Sequence, residues 1–185
     1  RRQRQMCIRD RQYPAMAEWM GIDSASGATL PWTVSDKKYM RGIFDIVLRP
    51  MEKAGVDFWW LDWQQWLTDK KVEGLSNTWW INYAFFSDME RMRDTRPLLY
   101  HRWGGLGNHR YQIGFSGDAI ISWKSLAFQP YFTNCASNVL YGYWSHDIGG
   151  HMFKKGDKQE LDPELFTRWM QYGVFTPVSY THLTL

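Results

Sequence analysis

From Ser35 onward the apolar positions Tyr39, Ile43, Ile46 and Val47 recur at helical spacing, with Ser35 as the N-cap; Pro50 kinks or closes the pattern and Gly55 marks its stop. The run Val56 to Leu61 that follows is short and uninterruptedly apolar, which predicts a buried strand. "NYAFFSDMERMR", residues 82 to 93, predicts a second helix with Tyr83, Phe86, Met89 and Arg93 along one face, and "PLLY", residues 97 to 100, a second strand. "RYQIGFSGD" reads as a third strand, the segment from about Leu126 to Val139 as a weakly patterned helix, and "YGYWSHD" as a further strand. Asp162 as N-cap, Pro163 at the first helical position and Gly173 after "LFTRWMQY" bound a last helix, with "VFTPVSY" as the last strand. This alternation predicts a parallel sheet covered by helices, either doubly wound or a (β/α)8 barrel. No internal repeat or low-complexity linker interrupts it, so one domain, or a piece of one, is expected.

On that frame four polar residues fall at strand ends: Asp62 after the Val56 run, Arg102 after "PLLYH", Asp118 after "RYQIGFSG" and Asp147 after "YGYWSH". In a parallel α/β sheet or barrel those ends converge on the face where active sites are built. One carboxylate alone would read as a helix cap or a surface ion pair; four groups in register point to a site. Asp62 sits in "DFWWLDW", where burial of a charge is costly unless it is paired or used.

Composition supports a globular chain: 44% of 185 residues are hydrophobic and 22% charged, enough for a substantial core. The 12 tryptophans suit core packing and equally suit stacking on the C–H faces of sugar rings. The net charge of +3 owes much to Arg1, Arg2, Arg4, Arg9 and Arg11; without them acidic residues outnumber basic ones, so a nucleic-acid partner is not expected. No apolar run is long enough to span a membrane, and the N-terminal stretch lacks the apolar region of a signal peptide. Cys7 and Cys135 stand far apart without a CxxC motif and are expected to be buried thiols rather than a disulfide or zinc site.

Two facing carboxyl groups, one ionised and one protonated, are the machinery of glycoside hydrolysis, and a third carboxylate with an arginine can hold sugar hydroxyls. Metal-assisted hydrolysis is the competing use of clustered carboxylates, less favoured because no HxH or HExxH spacing accompanies them. His146 and His151 in "HDIGGH" fit a turn beyond a strand better than a metal site, and "GGLG", residues 104 to 107, lacks a phosphate-binding pattern. No metal or cofactor is expected.

"GVDFWWLDWQQ", "YHRWGGLGNHRYQIGFSGDAIISW" and "YGYWSHDIGGH", in that order, resemble the signature blocks of the glycoside hydrolase family 31 catalytic barrel, whose members include α-glucosidases and α-xylosidases. The resemblance covers residues 32 to 177 and implies a partial (β/α)8 barrel made of the later strands and helices, because a whole barrel takes about 250 residues. It implies that Asp62 is the catalytic nucleophile and Asp118 the general acid/base. Arg102 and Asp147 match residues that bind the sugar, and Trp60, Trp63 and Phe115 fall at positions lining the same subsite.

The implied reaction is retaining hydrolysis of an α-linked glucoside or related α-glycoside, with a carbohydrate substrate and no nucleic-acid or membrane partner. Apolar surroundings are expected to keep Asp118 protonated while Arg102 favours ionised Asp62. An α-xylosidase or α-transglycosylase of the same family stays open, as do a carbohydrate-binding pseudoenzyme and an inactive fragment. Residues 1–177 are taken as the partial catalytic domain. Residues 178–185, "VSYTHLTL", read as a non-native tail in which His182 matches a sugar-binding histidine and Tyr180 replaces the family's arginine.

Overall fold

A computed structural model of the 185-residue chain describes residues 12–62, 68–102, 106–156, 158–176 and, by their backbone, 178–180. Trp63, His182, Cys7 and the five N-terminal arginines lie outside the described residues. The chain divides into two compact units, residues 1–59 with 65–81 and residues 60–64 with 82–185.

In the first unit, α1 (Tyr13–Met20) ends at Gly21 in the left-handed region, and α2 (Lys37–Gly42) starts one residue later than the sequence predicts. Asp36, not Ser35, is its cap: the Asp36 carboxylate accepts the Lys38 and Tyr39 N–H groups at 2.9 and 3.3 Å, and the Ser35 hydroxyl donates to Asp69 at 2.8 Å. The helical path widens into a π-helical turn over Ile43–Leu48 and continues as α3 (Arg49–Lys53), with Pro50 in its first turn. Proline has no N–H to give to the preceding turn, so the loosened hydrogen-bonding just before it is where the chain accommodates the ring. α1 and α2 pack closely at Gly42, where any Cβ would collide with Trp19 and Met16. Met16, Ala17, Val34, Tyr39, Met40 and Leu48 are buried there.

The strands are β1 (Trp59–Leu61), β2 (Leu99–His101), β3 (Gly114–Phe115), β4 (Trp144–Asp147) and β5 (Val178–Tyr180). β1 pairs with β2, and β3, β4 and β5 form a parallel sheet with Gly114 opposite Trp144, Phe115 opposite Ser145 and Ser145 opposite Val178. Ile113 joins β2 to the next strand: its carbonyl accepts the His101 N–H at 2.9 Å, and its N–H donates to the Leu99 carbonyl at 3.2 Å. Strands therefore neighbour one another in chain order, as around a (β/α)8 barrel, and among the described residues the arc does not close.

The helices between them are α4 (Asn77–Met92), α5 (Trp123–Ser137) and α6 (Pro163–Gly173). α4 buries Ile81, Asn82, Phe85, Asp88 and Met89, a stripe set by the four-residue spacing 81, 85, 89. Tyr83 is consequently exposed, contrary to the face read from the sequence. α6 begins as predicted, with the Asp162 carboxylate accepting the Glu164 and Leu165 N–H groups at 2.9 and 3.3 Å and Pro163 at the first position. Leu126, Ile148, Leu165 and fully buried Trp169 form the core between sheet and helices. Cys135, on α5, is exposed rather than buried. No described helix is long and apolar enough to cross a membrane.

Candidate active site

Each of the strands β1 to β4 delivers one polar group at or just beyond its C-terminal end. Asp62 directly follows β1, Arg102 directly follows β2, Asp118 comes three residues after β3, and Asp147 is the last residue of β4. The four meet. Arg102 is buried and spreads its guanidinium between two carboxylates: Nη1 lies 2.8 Å from Asp62 Oδ1 and Nη2 2.8 Å from Asp118 Oδ2. The Asp62 side chain is 41% exposed and that of Asp118 16%, so the carboxylate that follows β1 is the more open of the pair. Charge-assisted bonds of this length to a rigid planar donor fix both carboxylates in orientation as well as position.

Asp118 is therefore not in the apolar surroundings that the sequence suggested. Besides Arg102 it faces His151, whose Nε2 is 3.7 Å from Asp118 Oδ1. The sequence gives no sign of this pairing, because residues 102 and 151 approach Asp118 only through the order of the strands.

Beneath the arginine lies an aromatic layer. The Phe115 ring sits under the Arg102 guanidinium, with Cζ 5.5 Å from its centroid. Trp60 stacks on Tyr100 with centroids 3.9 Å apart and meets Phe115 edge-on at 5.1 Å. Phe115 is only 3% exposed, so its contacts run to Arg102, Trp60 and Tyr100. Tyr100 is a member of this layer that sequence reasoning missed; its place on β2, two residues before Arg102, was the available signal.

Asp147 is fully buried, and its Oδ2 accepts the Ala119 N–H at 3.1 Å. The chain then turns sharply through Gly149 and Gly150, both at positive φ, and a Cβ on Gly150 would meet the Ile121 backbone. That turn returns His151 to the site: its N–H donates to the Ala119 carbonyl at 2.7 Å. Ligand atoms of Asp118, Asp147 and His151 lie within 4.8 Å of one another, a grouping that could hold a metal ion. The Arg102 guanidinium on Asp118 opposes a second cation there. Beside Asp118 opens a cleft of about 590 Å³, bounded by Ser116, Ile120, Phe128 and Lys154 among others.

Comparison with known proteins returns one family and several relatives. The family model described as the TIM-barrel domain of glycosyl hydrolases family 31 matches residues 4–185. An alpha-xylosidase of Saccharolobus solfataricus is 29% identical over 104 residues, 55% of this chain and 14% of that protein. Alpha-glucosidase 2 of Bacillus thermoamyloliquefaciens is 31% identical over 105 residues, 55% of this chain and 12% of that protein. The crystal structure of a GH31 alpha-xylosidase from Xanthomonas citri superposes with a TM-score of 0.61 at 20% identity, covering 85% of this chain and 21% of that one. The chain thus spans a small part of each relative's length.

Proposed function

The chain belongs to glycosyl hydrolase family 31, and we propose that Asp62, Arg102, Asp118 and Asp147 form the sugar-binding and catalytic site of a retaining hydrolase acting on α-linked glucosides or related α-glycosides. The observation that carries this reading is the single guanidinium of Arg102 bonded to both Asp62 and Asp118 at 2.8 Å. Carboxylates sharing one arginine are held at short range, which favours the spacing of about 5–5.5 Å used by retaining enzymes over the wider gap of inverting ones.

In this reading ionised Asp62, the more exposed carboxylate, attacks the anomeric carbon while Asp118 gives its proton to the departing glycosidic oxygen. The C–O bond to the aglycone breaks as the Asp62 ester forms. Asp118, now ionised, takes a proton from the water that releases the sugar and frees Asp62. Asp147 and Arg102 hold the hydroxyls of the sugar. Trp60 and Phe115 support the arginine from below, and Trp63 completes the proposed sugar contacts. Residues 178–185 are proposed to be a non-native tail following a partial catalytic domain.

Incubation with an α-glucose-configured cyclitol epoxide followed by peptide mass spectrometry tests the assignment. An adduct on Asp62 is expected, and an adduct on Asp118, Asp147 or another carboxylate would overturn it. Parallel assays with aryl α-glucoside and aryl α-xyloside decide between the two sugars named by the curated relatives.

A further inference from the structure

The alternation of β4 sends neighbouring side chains to opposite faces of the sheet: Asp147 reaches the side where Asp118 lies, and His146 reaches the side covered by α5 and α6. A strand position under two helices is ordinarily filled by an aliphatic residue. His146 is fully buried instead, and burial lowers its pKa to about 4. An imidazole in that position costs desolvation unless both nitrogens are paired.

Both are. Nδ1 is 2.6 Å from Ser116 Oγ and 3.0 Å from Gln129 Oε1, while Nε2 is 3.2 Å from the Tyr172 hydroxyl and 3.5 Å from Thr133 Oγ1. Ser116 Oγ is 2.9 Å from Gln129 Oε1, and the Tyr172 and Thr133 hydroxyls are 2.9 Å apart. None of these partners is charged. One neutral tautomer satisfies the chain of bonds, as assigned from the network: Nδ1–H donates to Ser116, Ser116 to the Gln129 carbonyl oxygen, and Tyr172 to Nε2.

Ser116 stands two residues before Asp118. Its backbone N–H donates to the Ser145 carbonyl at 3.1 Å, and on the far side of Asp118 the Ala119 N–H donates to Asp147 Oδ2 at 3.1 Å. Between them Gly117 lies so close to the Asp147 carboxylate that any Cβ would overlap it. The segment Ser116–Ala119 is thus tied to β4 at both ends, and the two side-chain ties leave opposite faces of the strand.

We propose that His146 is a positioning residue for Asp118: through Ser116 it fixes the segment carrying that carboxylate against β4, a tie that an apolar residue of similar volume would not make. The consequence for turnover rests on the reading of Asp118 as the general acid/base; the tie itself does not.

Hydrogen-exchange mass spectrometry of the 185-residue chain tests the tie, comparing wild type with Ser116→Ala, His146→Leu, His146→Gln and His146→Asn. Asparagine places an amide where Nδ1 lies and keeps the link to Ser116, whereas glutamine reaches toward Nε2 and keeps the link to Tyr172. Peptides covering residues 114–121 are expected to exchange about tenfold faster in the Leu, Gln and Ser116→Ala variants and near the wild-type rate in Asn, with residues 82–92 unchanged throughout. Unchanged exchange in the Leu variant, or equal acceleration in both peptides, would overturn the proposal.

Turnover supplies the second arm. α-Glucosyl fluoride leaves without a proton and an alkyl α-glucoside needs one, so His146→Leu should lower kcat/KM about tenfold on the alkyl substrate and barely on the fluoride. Equal losses on both would overturn the positioning role. Wild-type chain that turns over neither would overturn the reading of this chain as itself a catalyst, while the exchange data would still decide the tie.

Discussion

Acidification should unfold this protein partly through one side chain. His146 titrates near 6.5 when exposed and is pushed down to about 4 by burial in the fold. Between those values the unfolded chain binds a proton that the folded chain refuses, so stability is fully present above pH 6.5 and is lost as the pH falls toward 4. The gap between about 6.5 and about 4 corresponds to about 3 kcal/mol in full, most of which is already lost at pH 4.5. Urea unfolding followed by tryptophan fluorescence at pH 7 and pH 4.5 measures it, with His146→Asn as the control that cannot titrate. Carboxylates shared by both proteins, including Asp36 and Asp69 with their lowered pKa values, cancel in the comparison. The wild type should lose about 2–3 kcal/mol more than the variant between the two pH values. Equal losses would refute the argument, since the ring would then titrate alike in folded and unfolded chains.

Three further outcomes follow from the site and the core. Under the proposed roles, Asp118→Ala should lower kcat/KM on alkyl α-glucosides by about 10²–10⁴-fold; added azide should restore turnover of activated substrates, because a small anion needs no general base. Arg102→Met leaves two neighbouring carboxylates without their shared cation and should reduce activity at least about a hundredfold, read as kcat/KM, with Arg102→Lys recovering only part because a point charge cannot bond both in one plane. Trp169→Ala empties a fully buried position between sheet and helices and should cost about 3–5 kcal/mol in urea unfolding at pH 7.

The alternating order of strands and helices was legible because each helix carries its own boundary chemistry. Asp162 and Pro163 place the start of α6 to the residue, and Pro50 marks the break between π-helical turn and α3. Strand lengths were not legible. "RYQIGFSGD" looks extended throughout, yet residues 108 to 111 form a 3₁₀ turn, Gln112 takes a positive φ, and its side chain accepts the Leu99 N–H at 3.0 Å. Such a competition between side-chain and ladder bonds depends on a residue far away in the chain.

The site divides in the same way. That Asp62, Arg102, Asp118 and Asp147 sit at strand ends followed from local pattern alone. That Arg102 bonds two carboxylates, that His151 returns through the double glycine, and that His146 reaches Ser116 all depend on which strands neighbour one another. Composition could not separate these histidines from ordinary turn residues.

The shared guanidinium gives the proposed reaction a built-in change of roles. While Asp62 is ionised, Arg102 divides its charge between two anions. Once Asp62 becomes an ester its negative charge is gone. The whole of Arg102 is then available to Asp118, and the neighbouring anion that opposed its ionisation has disappeared. Both changes stabilise the Asp118 carboxylate at the stage when it must act as a base. Free Asp62 restores the competition for Arg102. A single buried arginine, placed by the order of two strands, can therefore couple the proposed nucleophile's covalent state to the charge felt by its partner with no movement of the backbone.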